Sequence, residues 1–125
     1  MFVPSPIQTF LLDCTSAFEK GIHFFGTGVS GGAEGARLGP SIMVGGNATY
    51  YEHVRPIFEA VSAKVGDDAC VAHVGNGSSG HYVKMVHNGI EYGMMQAIGE
   101  GFEILKESRF DLDLQEVSRI YNTGS

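Results

Sequence analysis

The residues best placed for acid–base chemistry are Lys84 and Glu91, with His87, Asn88 and Tyr92 beside them in the run Gly80-His-Tyr-Val-Lys-Met-Val-His-Asn-Gly-Ile-Glu-Tyr-Gly-Met-Met-Gln96. At helical periodicity Lys84, His87, Asn88 and Glu91 fall within about 60° of one azimuth, with Tyr92 just beside them. An amine can take a proton, a carboxyl group can give one, and an imidazole and an amide can hold a polar ligand between them. The other azimuths carry Val83, Met85, Val86, Ile90 and Met94, which predicts a helix mostly enclosed by protein. A charged stripe on such a helix is costly unless it is paired or liganded. An internal ion pair is the plain alternative, since structural networks also place charges on helices. Seven residues of helix rise separate Lys84 from Glu91 by roughly 10 Å, too far for a direct contact but suited to a small ligand.

A glycine-rich stretch is the second feature. Gly26-Thr-Gly-Val-Ser-Gly31 matches the spacing of the dinucleotide fingerprint and has Glu52 about twenty residues further on. That fingerprint must open a helix, and the following Gly32-Ala-Glu-Gly-Ala-Arg-Leu-Gly-Pro40 shows no clean apolar period and several breakers. Glu52 also falls inside a helical pattern. The preferred reading is a loop whose amides at Ser30, Gly31 and Gly32 cradle a carboxylate or hydroxyls, with the Ser30 hydroxyl adding a donor. A simple tight turn between strands is its structural alternative.

The elements that must position these residues follow from apolar runs and breakers. Ile22–Phe25 and Ser41–Val44 read as short buried strands, ended by Gly26 and by Gly45-Gly46. Asn47 or Thr49 caps a helix carrying Tyr50, Val54, Ile57, Phe58 and Val61, in which Pro56 either makes a kink or marks the true first turn. That helix is expected to run to Gly66. Cys70–Val74 reads as a third strand, and the turn from Gly75 to Gly80 leads into the central helix with Ser78 or Ser79 as cap. The central helix is expected from about Ser79 to Lys106, roughly 40 Å. Gly89 and Gly93 lie opposite the polar stripe and admit a close neighbour. Asp111 or Asp113 caps a last short helix with Leu114, Val117 and Tyr121 on one face. Residues 1–19, with the Phe10-Leu-Leu12 run, are left unassigned. Alternating strands and helices indicate an α/β class with an incomplete sheet.

Composition narrows the classes. The chain has 125 residues, 43% of them hydrophobic, and a net charge of −6, which suits one small globular domain. Eight Lys and Arg against 14 Asp and Glu, without a basic run, argue against nucleic acid or an anionic membrane surface as partner. Cys14 and Cys70 make neither a disulfide framework nor a metal spacing, pointing to a reducing compartment and no metal site. The opening Met1–Pro6 lacks a basic segment, and no stretch approaches a membrane span.

Taken together, Val29-Ser-Gly-Gly32 and Gly80–Tyr92 resemble the decarboxylating 6-phosphogluconate dehydrogenases, from about Lys20 to Ser125. The string Lys84-Met-Val-His-Asn-Gly-Ile-Glu-Tyr92 carries most of the specificity. The 3-hydroxyisobutyrate-type β-hydroxyacid dehydrogenases share the serine–glycine–glycine loop and a lysine followed by asparagine, but do not normally combine His87, Glu91 and Tyr92. The resemblance implies oxidation of 6-phosphogluconate with NADP, or NAD in some members, and decarboxylation to ribulose 5-phosphate. It assigns Lys84 as general base and Glu91 as the acid that protonates the enediol. Ser30, Gly31 and Gly32 would meet the carboxylate end of the substrate, His87 and Asn88 would hydrogen-bond it, and Tyr92 would meet its phosphate. No cofactor-binding residue is assigned.

On this resemblance residues 20–77 are the C-terminal part of an NADP-binding Rossmann-like domain, and 78–125 begin an all-α domain with a long helix. A cytoplasmic location and a homodimer of the full-length enzyme are implied as well. The family's fingerprint at the start of its chain, its later phosphate ligands and its C-terminal tail have no counterpart here. The sequence is thus expected to be a window of a longer enzyme behind an unrelated or mis-started N-terminus, and is not expected to turn over alone. A non-catalytic remnant or interaction fragment is the competing class.

Overall fold

The computed structural model describes residues 16–124. The chain divides into two compact units, one up to His87 and one from Asn88, with the division inside a single long helix. Phe10–Leu12 and Cys14 lie outside the described residues, and residues 16–19 are helical.

In the first unit the elements are β1 (Gly26–Ser30), α1 (Gly32–Leu38), β2 (Ser41–Gly45), α2 (Ala48–Val61), β3 (Lys64–Val65), β4 (Asp68–Ala69) and β5 (Val71–Gly75), followed by the start of α3 (Ser79–Lys106). The main sheet has the order β1-β2-β5. β1 runs antiparallel to β2, with Gly26 opposite Gly45 and Ser30 opposite Ser41, and β2 runs parallel to β5, with Ile42 opposite Val71. The parallel pair requires the crossover that α2 supplies. The α/β class read from the sequence is therefore present, as a mixed three-stranded sheet.

The core sits between β2 and α2. Ile42 and Val44, two residues apart on β2, point to the same face and meet Tyr51 of α2, with Phe25, Val54, Phe58 and Val71 packed around them. Val44 is fully buried, a side chain whose burial stabilises by about 1.5–3 kcal/mol. The Phe25 and Phe58 rings meet edge to face at 6.5 Å. The Asn47 side chain accepts hydrogen bonds from the Thr49 and Tyr50 amides at 2.9 and 3.4 Å, so Asn47 is the cap of α2. Pro56 lies inside that helix.

Four expectations are corrected. Residues 22–25 are irregular and the strand is Gly26–Ser30. Ile22 and Phe24 are exposed, so only Phe25 of that run joins the core, while the glycines just after it can lie flat against another backbone. A short helix, α1, does follow Gly31; β1 pairs antiparallel with β2, so the stretch is still not the strand–helix–strand unit of a dinucleotide fingerprint. α2 ends at Val61 instead of Gly66. The residues beyond it form a β3–β4 hairpin in which Gly66, at φ 62°, makes the turn.

The fourth correction concerns α3, whose span is the one expected. Its apolar sides are not enclosed: Met85, Val86, Ile90 and Met94 are 49, 44, 60 and 58% exposed. Periodicity reports which residues suit burial and says nothing of whether the same chain supplies the cover. In the second unit α3 continues to Lys106 and α4 spans Leu114–Gly124. The Asp113 carboxylate caps α4 by accepting from the Gln115 and Glu116 amides at 3.0 and 3.1 Å. Phe102 and Tyr121 stack edge to face at 6.0 Å.

Candidate active site

The first turn of α3 rests directly on the sheet. A Cβ built on Gly80 would run into the Met43 and Gly26 carbonyl oxygens, and one on Gly45 would lie 2.6 Å from the Gly80 amide nitrogen. Gly28 makes the third contact: a Cβ there would strike the Gly80 carbonyl and come to 2.5 Å from Lys84 Cβ. Backbone meets backbone here because none of the three residues has a side chain. The signal for this packing in the sequence is a glycine two residues before Ser30 and another one helical turn before Lys84.

This seating carries Lys84 across the end of β1. Its Nζ donates a hydrogen bond to Ser30 Oγ at 3.0 Å, joining residues 54 positions apart. Lys84 Nζ also lies 3.4 Å from His87 Nδ1, one turn along the helix. Lys84 and Ser30 are half-buried and His87 is exposed. Gly31 stands between β1 and α1 at φ 142°, and Gly32 opens α1, where leading amides have no partner within the helix. Ser30 and Gly31 also line an open concavity of about 380 Å³ shared with Glu34 and Lys64. Glu34 and Lys64 thus put one side chain of each charge type beside that concavity.

Asn88, Glu91 and Tyr92 belong to the second unit, four, seven and eight residues beyond Lys84 on the same helix. Asn88 is half-buried, while Glu91 and Tyr92 are exposed. The expectation of a buried charged stripe is therefore corrected to a half-buried lysine followed by an exposed glutamate.

In open α/β sheets a cofactor is held beyond the carboxyl ends of parallel strands. At the ends of β2 and β5 the glycines pack on the start of α3: a Cβ on Gly45 or Gly75 would meet Ser79 Oγ at 2.7 or 3.1 Å. None of the described residues is assigned to a cofactor. No helix among them is long and apolar enough to cross a membrane.

Comparison with known proteins bears on both halves of this arrangement. Residues 13–75 match the NAD binding domain of 6-phosphogluconate dehydrogenase, and residues 80–124 match the C-terminal domain of 6-phosphogluconate dehydrogenase. The chain is 61% identical over 109 residues to the decarboxylating 6-phosphogluconate dehydrogenase of Dictyostelium discoideum, covering 84% of this chain and 22% of that protein. It is 54% identical over 98 residues to the NAD(+)-dependent decarboxylating enzyme of Haloferax volcanii, covering 78% of this chain and 32% of the relative. Among solved structures, the 6-phosphogluconate dehydrogenase of Plasmodium falciparum, determined in its apo form, with NADP+ and with 6-phosphogluconate, superposes with a TM-score of 0.83 at 46% identity. That match covers 91% of this chain and 24% of the other. The chain spans between about a fifth and a third of the length of the curated relatives it matches. With the nucleotide-domain match covering residues 13–75 and the C-terminal-domain match following it, the chain belongs to the 6-phosphogluconate dehydrogenase family.

Proposed function

We propose that this chain carries the proton-transfer residues of a decarboxylating 6-phosphogluconate dehydrogenase. The observation that carries the reading is the hydrogen bond from Lys84 Nζ to Ser30 Oγ, which joins the glycine loop to the polar stripe of α3. Family membership and the names of the relatives supply the substrate, 6-phosphogluconate, and the cofactor, NADP or NAD.

In this mechanism Lys84, as the neutral amine, takes the proton of the hydroxyl on the third carbon of the sugar acid. The nicotinamide cofactor, when bound, is the hydride acceptor of such an oxidation. Lys84 then holds the proton it gained and donates a hydrogen bond to the new ketone, which lies β to the carboxylate and draws in the electron pair released as carbon dioxide leaves. Glu91 gives a proton to the first carbon of the resulting enediol, completing ribulose 5-phosphate. Ser30, Gly31 and Gly32 hold the carboxylate end, His87 and Asn88 hydrogen-bond the sugar, and Tyr92 meets the phosphate. No described residue is assigned to the cofactor.

Residues 20–77 and 78–125 serve in this reading as the end of the nucleotide domain and the start of the helical domain. The whole enzyme is a cytoplasmic homodimer. The test is turnover of 6-phosphogluconate and NADP by the native polypeptide that contains this sequence, followed as reduced cofactor and released carbon dioxide. Both products are expected, and Lys84→Ala should lower the rate by about 10²–10⁴-fold. Failure to form either product would sink the reading.

A further inference from the structure

The second glycine of the fingerprint-like stretch has no role in the mechanism above, yet it touches the residue on which that mechanism turns. Gly28 is buried, and its backbone does not take the left-handed conformation that would by itself call for glycine. Space is what it provides: a methyl group there would overlap the Gly80 carbonyl and stand 2.5 Å from Lys84 Cβ. Gly28 and Ser30 are two residues apart on β1 and so project to the same face. Both meet Lys84, Gly28 at the root of its side chain and Ser30 at its tip, where Nζ to Oγ is 3.0 Å.

The geometry points to Gly28 as a positioning residue for Lys84, setting the height of the lysine above β1 so that its amine reaches Ser30. The inference rests on the proposed role of Lys84 as base, although the contact itself does not. Carbon atoms ordinarily approach no nearer than about 3.5 Å, so a methyl at Gly28 must lift the Lys84 root by about 1 Å. The helix cannot yield by sinking elsewhere, because Gly80 and Gly45 already hold its first turn against the strands. A displacement of that size draws the root of the side chain away from Ser30, whose Oγ now lies 3.0 Å from Nζ, and a misplacement of about 1 Å at a reacting group can cost on the order of 100-fold in rate.

The test is competitive labelling of the native polypeptide that contains this sequence with an amine-reactive reagent, read lysine by lysine by peptide mass spectrometry. It needs neither substrate nor cofactor, so it can fail while the dehydrogenase reading stands, or succeed while that reading falls. Gly28→Ala is expected to raise Lys84 labelling about fivefold, leaving Lys64 and Lys106 unchanged. Ser30→Ala should do the same, and the double variant no more than either. Unchanged Lys84 labelling in folded Gly28→Ala overturns the proposal. So does equal acceleration at every lysine, which would assign the glycine to folding alone. A measurement on the unsubstituted chain stands apart from these variants: nuclear Overhauser contacts from the Gly28 α-protons to the Lys84 β-protons are expected, and their absence also overturns it.

Discussion

Lys84 Nζ and Ser30 Oγ are 3.0 Å apart although 54 positions separate them in the chain, and this contact links the two stretches that carry the family resemblance. If Ser30 acts by holding the Lys84 amine, Ser30→Ala should lower turnover of 6-phosphogluconate by about tenfold, the worth of one hydrogen bond near a charged group. Combined with Lys84→Ala it should cost nothing further, because residues that act as a unit are not additive. Steady-state rates of the two single variants and the double variant check this; a loss that multiplies would separate the roles.

Glu91 distinguishes the proposed reaction from that of a β-hydroxyacid dehydrogenase, in which no enediol needs a proton. Glu91→Gln keeps the shape and removes the acid. Release of ribulose 5-phosphate should fall by about 10²–10⁴-fold, measured by product analysis rather than by cofactor reduction alone. Oxidation of 3-hydroxyisobutyrate that survives the same substitution would favour the other family.

Tyr51 gives a pH dependence to the first unit. Tyr51 is 5% exposed as a residue, and burial, reinforced by the Glu59 carboxylate and opposed by Arg55, raises its phenol above the ordinary value of 10.0. The folded state therefore holds its proton more tightly than the unfolded state. The stability this group contributes is complete below the unfolded value and is lost as the pH rises through the folded one. Denaturant midpoints in alkaline buffers should fall, and Tyr51→Phe should flatten that fall.

Removing the α2 cap tests a local contribution. Asn47→Ala deletes the acceptor for the Thr49 and Tyr50 amides and should cost about 1 kcal/mol in chemical denaturation. Asn47→Asp should keep most of the stability.

Ser79 Oγ is buried without a hydrogen-bond partner at the foot of α3, against Gly45 and Gly75. Ser79→Ala removes that unsatisfied group and should leave stability unchanged or raise it by up to about 1 kcal/mol. A clear loss by thermal denaturation would refute this account.

Much of the molecule was legible from local pattern. A strand over Ser41–Val44, caps narrowed to Asn47 or Thr49 and to Asp111 or Asp113, and the bounds of α3 follow from periodicity and side-chain hydrogen bonding, which depend on neighbours in the chain; the structure selects Asn47 and Asp113. The stripe of Lys84, His87, Asn88 and Glu91 needed only helical spacing. Tertiary structure alone decided where β1 lies, because glycines carry no strand signal of their own and Gly26 and Gly28 are strand residues only through contact with β2 and α3. It likewise decided the β3–β4 hairpin and the exposure of α3, since both depend on which surfaces meet. The pairing of Lys84 with Ser30 belongs to the same class: the sequence named both residues, but only close backbone packing at Gly28, Gly45 and Gly80 brings amine and hydroxyl within a hydrogen bond.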